Sequence, residues 1–229
     1  MPGDDMTAVC NERARAAKAL GSDDAAARFA ALQAQFKTSY GEIFDDPQAK
    51  RTVVIVPSLT VDVDVMAKIS GVHRYEERML CLLLLLRMPQ THVIYITSSP
   101  ICETIIDYYL HLLPGIPSAH ARRRLTLLSC EDSASVALSR KILDRPRLIE
   151  RIKTAIGDTS SAHMTCFTVT ELERELSLRL ELPVYGCDPA LLYWGTKSGS
   201  RRIFREAGIP LAPGYEDLDA SFTDAVLSE

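Results

Sequence analysis

From Arg51 onward, short β-branched apolar runs alternate with stretches of helical periodicity. The runs Thr52 to Val56, His92 to Thr97, Arg124 to Cys130, Met164 to Val169 and Val184 to Gly186 read as strands. Between them, Tyr75 to Met88, Cys102 to Leu113, Arg147 to Ile156 and Thr170 to Leu180 read as helices. Four such crossovers predict an α/β fold, Rossmann-like, with a mostly parallel sheet flanked by helices on both faces. The strand order is not readable from this pattern. Helix starts are signed locally: Thr170 with Glu173 three residues on forms a capping box, and Pro146 suits the first turn of the third helix.

The first fifty residues carry a different pattern, an N-terminal helical extension. Ala-rich segments from Asp5 to Leu20 and from Asp23 to Tyr40 are broken at Gly21-Ser22, with Ser22 as the N-cap of the second. Phe29, Leu32, Phe36 and Tyr40 recur at helical spacing and form one apolar stripe. Packing on the following domain satisfies that stripe, and a helical lid or dimer contact is the alternative. Asp45-Asp46-Pro47 marks the break before the main domain.

The most apolar run, Met79 to Leu86, lies between Arg78 and Arg87. As a helix it extends about 12 Å, against roughly 30 Å of bilayer hydrocarbon. It is expected to be a buried core helix, with Leu82, Leu83, Leu85 and Leu86 covering too much circumference for one solvated face. No secretory signal opens the chain, since Met1 to Asp5 is acidic and polar, and a soluble, cytoplasmic protein is expected.

Composition narrows the function classes. The chain has 229 residues, 47% of them hydrophobic, enough for one α/β domain and a smaller appendage. With 26 Lys+Arg against 30 Asp+Glu the formal net charge is -4, which disfavours nucleic acid and anionic membranes as partners. The six cysteines lie at least 21 positions apart, so no C-x-x-C pair exists, and most fall in apolar runs as in a reducing compartment.

Ligands of open α/β sheets bind beyond the carboxyl ends of the strands. Those ends carry Pro57-Ser58-Leu59-Thr60, Ser98-Ser99-Pro100, Glu131-Asp132 and Cys187-Asp188-Pro189. Their hydroxyls and helix-start amides suit an anion, while caps and turns are the favoured explanation of any single one. Standard patterns are missing: G-x-G-x-x-G, G-x-S-x-G and H-E-x-x-H do not occur. Gly195-Thr196-Lys197-Ser198-Gly199-Ser200 lacks the upstream glycine of a Walker A loop. It either presents a mobile Lys197 to an anion or is a polar linker into the helix Arg201 to Ala207. His92 and His163 stand at strand starts, away from the ligand crevice, and read as structural. Arg122-Arg123-Arg124 reads as a solvated turn, and His73 to Arg78 as ion pairs on a solvated helix face, although Tyr75 also suits the sheet's crevice.

Taken in series, these segments resemble a known family. Val56-Pro57-Ser58-Leu59, Gly71 with Tyr75 to Arg78 and the leucines to Pro89, Tyr95 to Ser98, and Ile106 to Leu110 are its first part. Arg145-Pro146, Val169-Thr170 with Glu173, Gly186 to Pro189 and Gly195 to Arg201 continue it. The series, from about Thr52 to Gly214, is similar to the pre-ATP-grasp portion of ATP-grasp carboxylate–amine ligase-like proteins, in the branch of the pheganomycin-type peptide ligase. No single piece is specific; the string is.

The resemblance implies three segments: a helical extension at 1–50, a Rossmann-like pre-ATP-grasp domain at 51–194, and the start of an ATP-grasp domain at 195–229. Arg201 to Pro213 is similar to the way such domains begin, and Lys197 matches a basic residue that touches ATP phosphates. Fifteen residues follow Gly214, so the chain is expected to be the front end of a ligase, inactive alone, with a downstream ATP-grasp domain as its partner. The complete ligase would use ATP and Mg, with small-molecule carboxylate and amine substrates, and a homodimer is compatible. The candidate cofactor-binding residues are Ser58, Ser98, Lys197 and Arg201; no catalytic residue or metal ligand is assigned. The other reading is a stand-alone Rossmann-like module binding a small anionic ligand or a partner domain, and the reading frame beyond Glu229 discriminates the two.

Overall fold

A computed structural model describes residues 24–41, 45–61 and 63–217. Five strands, β1 (Arg51–Val56), β2 (Thr91–Thr97), β3 (Leu125–Ser129), β4 (Ala162–Cys166) and β5 (Val184–Tyr185), form one sheet in the order β3-β2-β1-β4-β5. Every pairing is parallel. The fold is α/β and Rossmann-like, as the alternating pattern predicts. The chain divides into two compact units, Met1–Gly186 and Cys187–Glu229.

Alternation along the strands distributes side chains to two cores. Val54, Val56, Ile94, Ile96, Leu128, Met164 and Val184 face one way. They meet Phe29 of α1 (24–41) and the apolar stripes of α5 (Leu138–Leu143), α6 (Pro146–Ile156) and α7 (Glu171–Leu180). Val53, Ile55, Val93 and Tyr95 face the other way, onto a long 3₁₀ helix (Val72–Arg87), α3 (Glu103–His111) and Ala121 of α4 (Ser118–Arg122). A further short helix, α2 (Val63–Lys68), follows β1.

The leucine-rich helix differs from expectation in a way its geometry explains. Leu80, Leu83 and Leu86 are fully buried, whereas Leu82 and Leu85 are half-buried and Leu84 is exposed. In a 3₁₀ helix residues three apart eclipse one another, so only every third leucine reaches the sheet. Leu82 and Leu85 pack, partly buried, against the core that the sheet shares with Ile106 and Leu110 of α3, so the helix meets both the sheet and a second helix.

Other local expectations resolve similarly. The fourth strand ends at Cys166 rather than Val169, because Phe167 to Val169 leave the sheet and lead into α7. Thr170 does form the capping box with Glu173, and Pro146 opens α6. The stripe on α1 packs on the domain through Phe29 and Phe36, with Leu32 and Tyr40 half-buried. Asp5 to Leu20 and Ser22 lie outside the described residues. Of the three arginines only Arg123 is an exposed turn residue: Arg124 donates to the carbonyls of Leu86, Met88 and Thr91, and Arg122 pairs with Glu103 at 2.8 Å. No helix among the described residues is long and apolar enough to cross a membrane.

At the outer edge, Gln33 of α1 substitutes for a neighbouring strand. Its amide accepts from the Val184 N–H at 2.8 Å and donates to the Val184 carbonyl at 2.9 Å. Edge strands carry unpaired backbone groups that template association, and this side chain satisfies them.

Candidate functional site

The sheet order reverses between β1 and β4, so the crevice expected to receive a ligand lies beyond their carboxyl ends. That position is occupied by the chain's own polar side chains. Glu173, fully buried at the start of α7, accepts from the Thr60 hydroxyl at 2.7 Å. It also accepts from the Thr170 amide at 2.9 Å and the Thr170 hydroxyl at 2.6 Å. Thr168 donates to the Ser58 carbonyl and accepts from the Thr60 amide. Ser58, also fully buried, shares a 2.9 Å hydroxyl contact with Thr60 and accepts from the Ser139 amide at 3.2 Å. Buried polar groups persist when hydrogen-bonded, and this set ties the β1 loop to α5 and α7.

A second buried cluster forms at the end of β2. Glu76, on the inward stripe of the 3₁₀ helix, accepts from the Ser98 amide and the Ser98 hydroxyl, both at 2.5 Å. Lys141 Nζ donates to Ser98 Oγ and to the Asp132 carbonyl, both at 2.8 Å. Arg145 pairs with the Asp132 carboxylate at 2.8 Å and donates to the Lys141 carbonyl. Burial pushes the Glu76 carboxyl up despite its bonds to Ser98 and the opposing charge of Lys141. Burial likewise pulls the Lys141 ammonium down, against the pull of Asp132 and Glu76. Asp132 is held low, first by the Ala134 amide and then by Arg145 and Lys141.

A serine hydroxyl touching a lysine of depressed pKa is the arrangement of an activated nucleophile. Here Ser98 is fully buried and Lys141 is 2% exposed, so no substrate reaches the hydroxyl. The cluster instead fastens the ends of β2 and β3 to the 3₁₀ helix and α5.

Of the four sequence candidates, Ser58 and Ser98 are thus enclosed, each in its own network. Lys197 and Arg201 belong to the Cys187–Glu229 unit, described by itself. There a short 3₁₀ helix (Pro189–Gly195) meets α8 (Lys197–Glu206). Thr196 caps α8 by accepting from the Gly199 amide at 3.0 Å, and Lys197 is exposed in the first turn. Arg201 pairs with Glu216 at 2.9 Å and donates to the Ala212 and Gly214 carbonyls, which anchors the segment after α8. Gly199 is fixed by packing, since a Cβ there would stand 2.1 Å from the Tyr193 carbonyl oxygen.

Sequence reasoning missed Glu76 and Lys141. The charge pattern sets Glu76 on a solvated face, where Arg74 and Glu77 do pair at 3.1 Å. Its signal is position: Val72, Glu76 and Leu80 recur at four-residue spacing and are all buried, ahead of the threefold spacing of Leu80, Leu83 and Leu86. Lys141 carried no signal, because α5 was not predicted. Among the described residues, no group of three or more His, Cys, Asp or Glu side chains stands close enough to hold a metal.

No protein-family model matches the chain, and no solved structure matches it. Two curated proteins do. Over 187 residues, 74% of this chain, it is 28% identical to IQ motif-containing protein H of Danio rerio, of which it spans 18%. Over 156 residues, 66% of this chain, it is 30% identical to L-propargylglycine--L-glutamate ligase of Streptantibioticus cattleyicolor, of which it spans 32%. The chain therefore spans less than a third of either relative, and its likeness to the second relates this Rossmann-like fold to a ligase over part of that ligase's length.

Proposed function

We propose that this chain is the Rossmann-like pre-ATP-grasp portion of an ATP-dependent carboxylate–amine ligase-like protein, and that it contributes a phosphate contact through Lys197. The observation that carries the reading is the 30% identity to L-propargylglycine--L-glutamate ligase across 156 residues. In the complete reaction a carboxylate attacks the γ-phosphate of ATP, giving an acyl phosphate and ADP. An amine then attacks the acyl carbon, an amide bond forms, and phosphate and a proton leave.

The site geometry supports a division of labour. Ser58 and Ser98 are buried and bonded within the chain, so the carboxyl edge of the sheet does not offer them to a nucleotide. Lys197 is exposed at the first turn of a ten-residue helix, where amides and dipole favour an anion. Arg201 serves this site indirectly, by fixing the segment that follows α8. ATP supplies the phosphoryl group that activates the carboxylate. The described residues contain no carboxylate cluster fit for magnesium, so no step is assigned to the metal within them.

Calorimetry tests the reading. One exposed ion contact contributes about 1 kcal/mol or less, whereas micromolar binding needs about 8 kcal/mol. The 229-residue chain is expected to show no micromolar affinity for Mg-ATP. The full-length gene product is expected to release ADP when given ATP and an amino-acid pair, with a higher KM for ATP after Lys197→Ala. Micromolar binding by the 229-residue chain that ignores Lys197→Ala, or a full-length product that turns over no ATP with any amino-acid pair, overturns it.

A further inference from the structure

On the outer edge of β3 lies a cavity of 240 Å³ that neither polar network occupies. Thr97, Leu127, Ser129, Glu103, Glu131 and Arg151 contribute to its lining. Glu103 opens α3 on one face of the sheet and Arg151 rides α6 on the other, so the cavity wraps the sheet edge at its carboxyl end.

Three features define what it accepts. First, it carries both signs of charge without self-neutralisation. Glu103 is engaged by Arg122, but Glu131 and Arg151 form no ion pair with each other or with any other described residue. Second, the backbone of β3 lines it. The Cys130 amide donates to the Thr97 carbonyl, so even-numbered residues of β3 face β2. Alternation then turns the N–H and C=O of Leu127 and Ser129 outward, toward the cavity. Third, Glu131 adopts a left-handed backbone at φ 52°, uncommon outside glycine, and its amide donates to Ser129 Oγ at 3.0 Å. That conformation sets the direction in which the chain leaves β3.

We infer that this cavity binds a free α-amino acid, its ammonium on Glu131, its carboxylate on Arg151 and its polar atoms within reach of the outward β3 backbone. With Glu103 neutralised by Arg122, the unpaired charges are one carboxylate, Glu131, and one guanidinium, Arg151; a simple anion or cation satisfies one of them, whereas a compact zwitterion satisfies both. Arginine receives a carboxylate through two parallel N–H donors, which adds geometric selection. The volume lies below the roughly 300–1,000 Å³ of sites for drug-sized ligands, as a single amino acid requires. The inference stands on the cavity and not on the ligase reading.

NMR titration of the isotopically labelled chain with each standard amino acid tests it, with propionate and n-propylamine as single-charge controls. At least one amino acid is expected to bind more tightly than about 1 mM and to shift the Leu127 and Ser129 amides, with neither control doing so. Glu131→Gln and Arg151→Gln are each expected to weaken binding about tenfold, a loss of about 1.4 kcal/mol. Both side chains are exposed, so the unliganded melting temperature should not move. Absence of shifts at those amides for every amino acid, or equal shifts with propionate alone, overturns the inference. Amide formation by the full-length product is a separate readout: binding without turnover removes the ligase reading and leaves the site, and turnover without binding does the reverse.

Discussion

Glu76 and Lys141 are a carboxylate and an ammonium joined through a single hydroxyl, Ser98 Oγ, which donates to the first at 2.5 Å and accepts from the second at 2.8 Å. Glu76 is 5% exposed and Lys141 2%, so each depends on the other to remain charged out of water. Lys141→Met removes the cation and strands the carboxylate, and is expected to cost about 3–5 kcal/mol at neutral pH. The Glu76 carboxyl is already raised by burial, so the folded state binds its proton more readily than the unfolded chain. That contribution to stability is present below the unfolded pKa and lost as pH rises through the folded one. The Lys141→Met variant should therefore recover stability on acidification, and adding Glu76→Gln should restore part of the loss at neutral pH. Urea titrations at both pH values check this; strictly additive costs would separate the two residues.

His163 gives the opposite pH dependence. Burial, and then the charge of Arg51, push it down to about 4, while its ring stacks on Phe36 with centroids 5.2 Å apart. Below about 6.5 the unfolded chain takes up a proton that the folded state refuses until about pH 4, so stability falls with pH across that window and levels beneath it. The linked loss is about 3 kcal/mol. Subtracting the urea stability of His163→Gln from that of the parent at each pH isolates it from Glu76. A difference that stays constant from about pH 7 to about pH 4 would show that His163 titrates normally.

The leucine helix offers a test of register. Leu83 is fully buried and Leu84 is 44% exposed, although they are adjacent and chemically identical. Leu83→Asp buries an unpaired charge and is expected to cost several kcal/mol, while Leu84→Asp should stay within about 0.5 kcal/mol of the parent. Comparable losses at both positions would mean that the threefold stripe does not describe the packed helix.

What the sequence made legible follows from the range of each interaction. Strands of β-branched residues and the Thr170–Glu173 box are local, and both are found where the pattern places them. The 3₁₀ geometry was hidden because Leu82 to Leu86 satisfies any helical period, and the buried stripe is chosen by contact with Val53, Ile55, Val93 and Tyr95. The polar networks were hidden for a different reason. Ser58 and Ser98 were visible as strand-end hydroxyls, but Ser98 takes its partners from 22 and 43 residues away. Thr60 likewise finds Glu173 at a separation of 113 residues. Only the sheet order brings such groups together, and one sequence does not encode that order in any local signal.

Gln33 and the outer strand make a prediction about association. The Gln33 amide supplies both partners of the Val184 backbone, and among the described residues β5 has no further strand beyond it. Gln33→Leu keeps the volume and removes both bonds, leaving a donor and an acceptor short of partners at a cost of about 1–3 kcal/mol. The Val184 amide should lose protection from hydrogen exchange selectively, and the edge thereby opened should raise self-association in sedimentation experiments. Unchanged protection at Val184 would show that α1 shields the edge without this side chain.

Gly199 is the position at which the geometry around Lys197 can be disturbed without touching a charge. A methyl group there would lie 2.1 Å from the Tyr193 carbonyl oxygen and 2.9 Å from the Trp194 Cα, both backbone atoms that cannot rotate aside. Gly199→Ala must therefore push the short 3₁₀ helix away from α8. The Thr196 hydroxyl, which accepts from the Gly199 amide and itself donates to the Tyr193 carbonyl at 2.6 Å, loses its place between them. Trp194 is the sole tryptophan of the chain, and the Arg202 guanidinium sits 5.6 Å from its ring centroid, so its fluorescence reports on this junction alone. Gly199→Ala is expected to change the Trp194 emission markedly while the hydrogen-exchange protection of β1, β2 and β4 stays at the parent level. Under the proposed ligase reading, the same substitution in a protein that also carries the downstream ATP-grasp domain should raise the KM for ATP with Lys197 still in place, because the first turn of α8 that carries it is displaced. Emission identical to the parent would mean that the helices accommodate the methyl group in place, and with it would go the argument that Gly199 fixes where Lys197 stands.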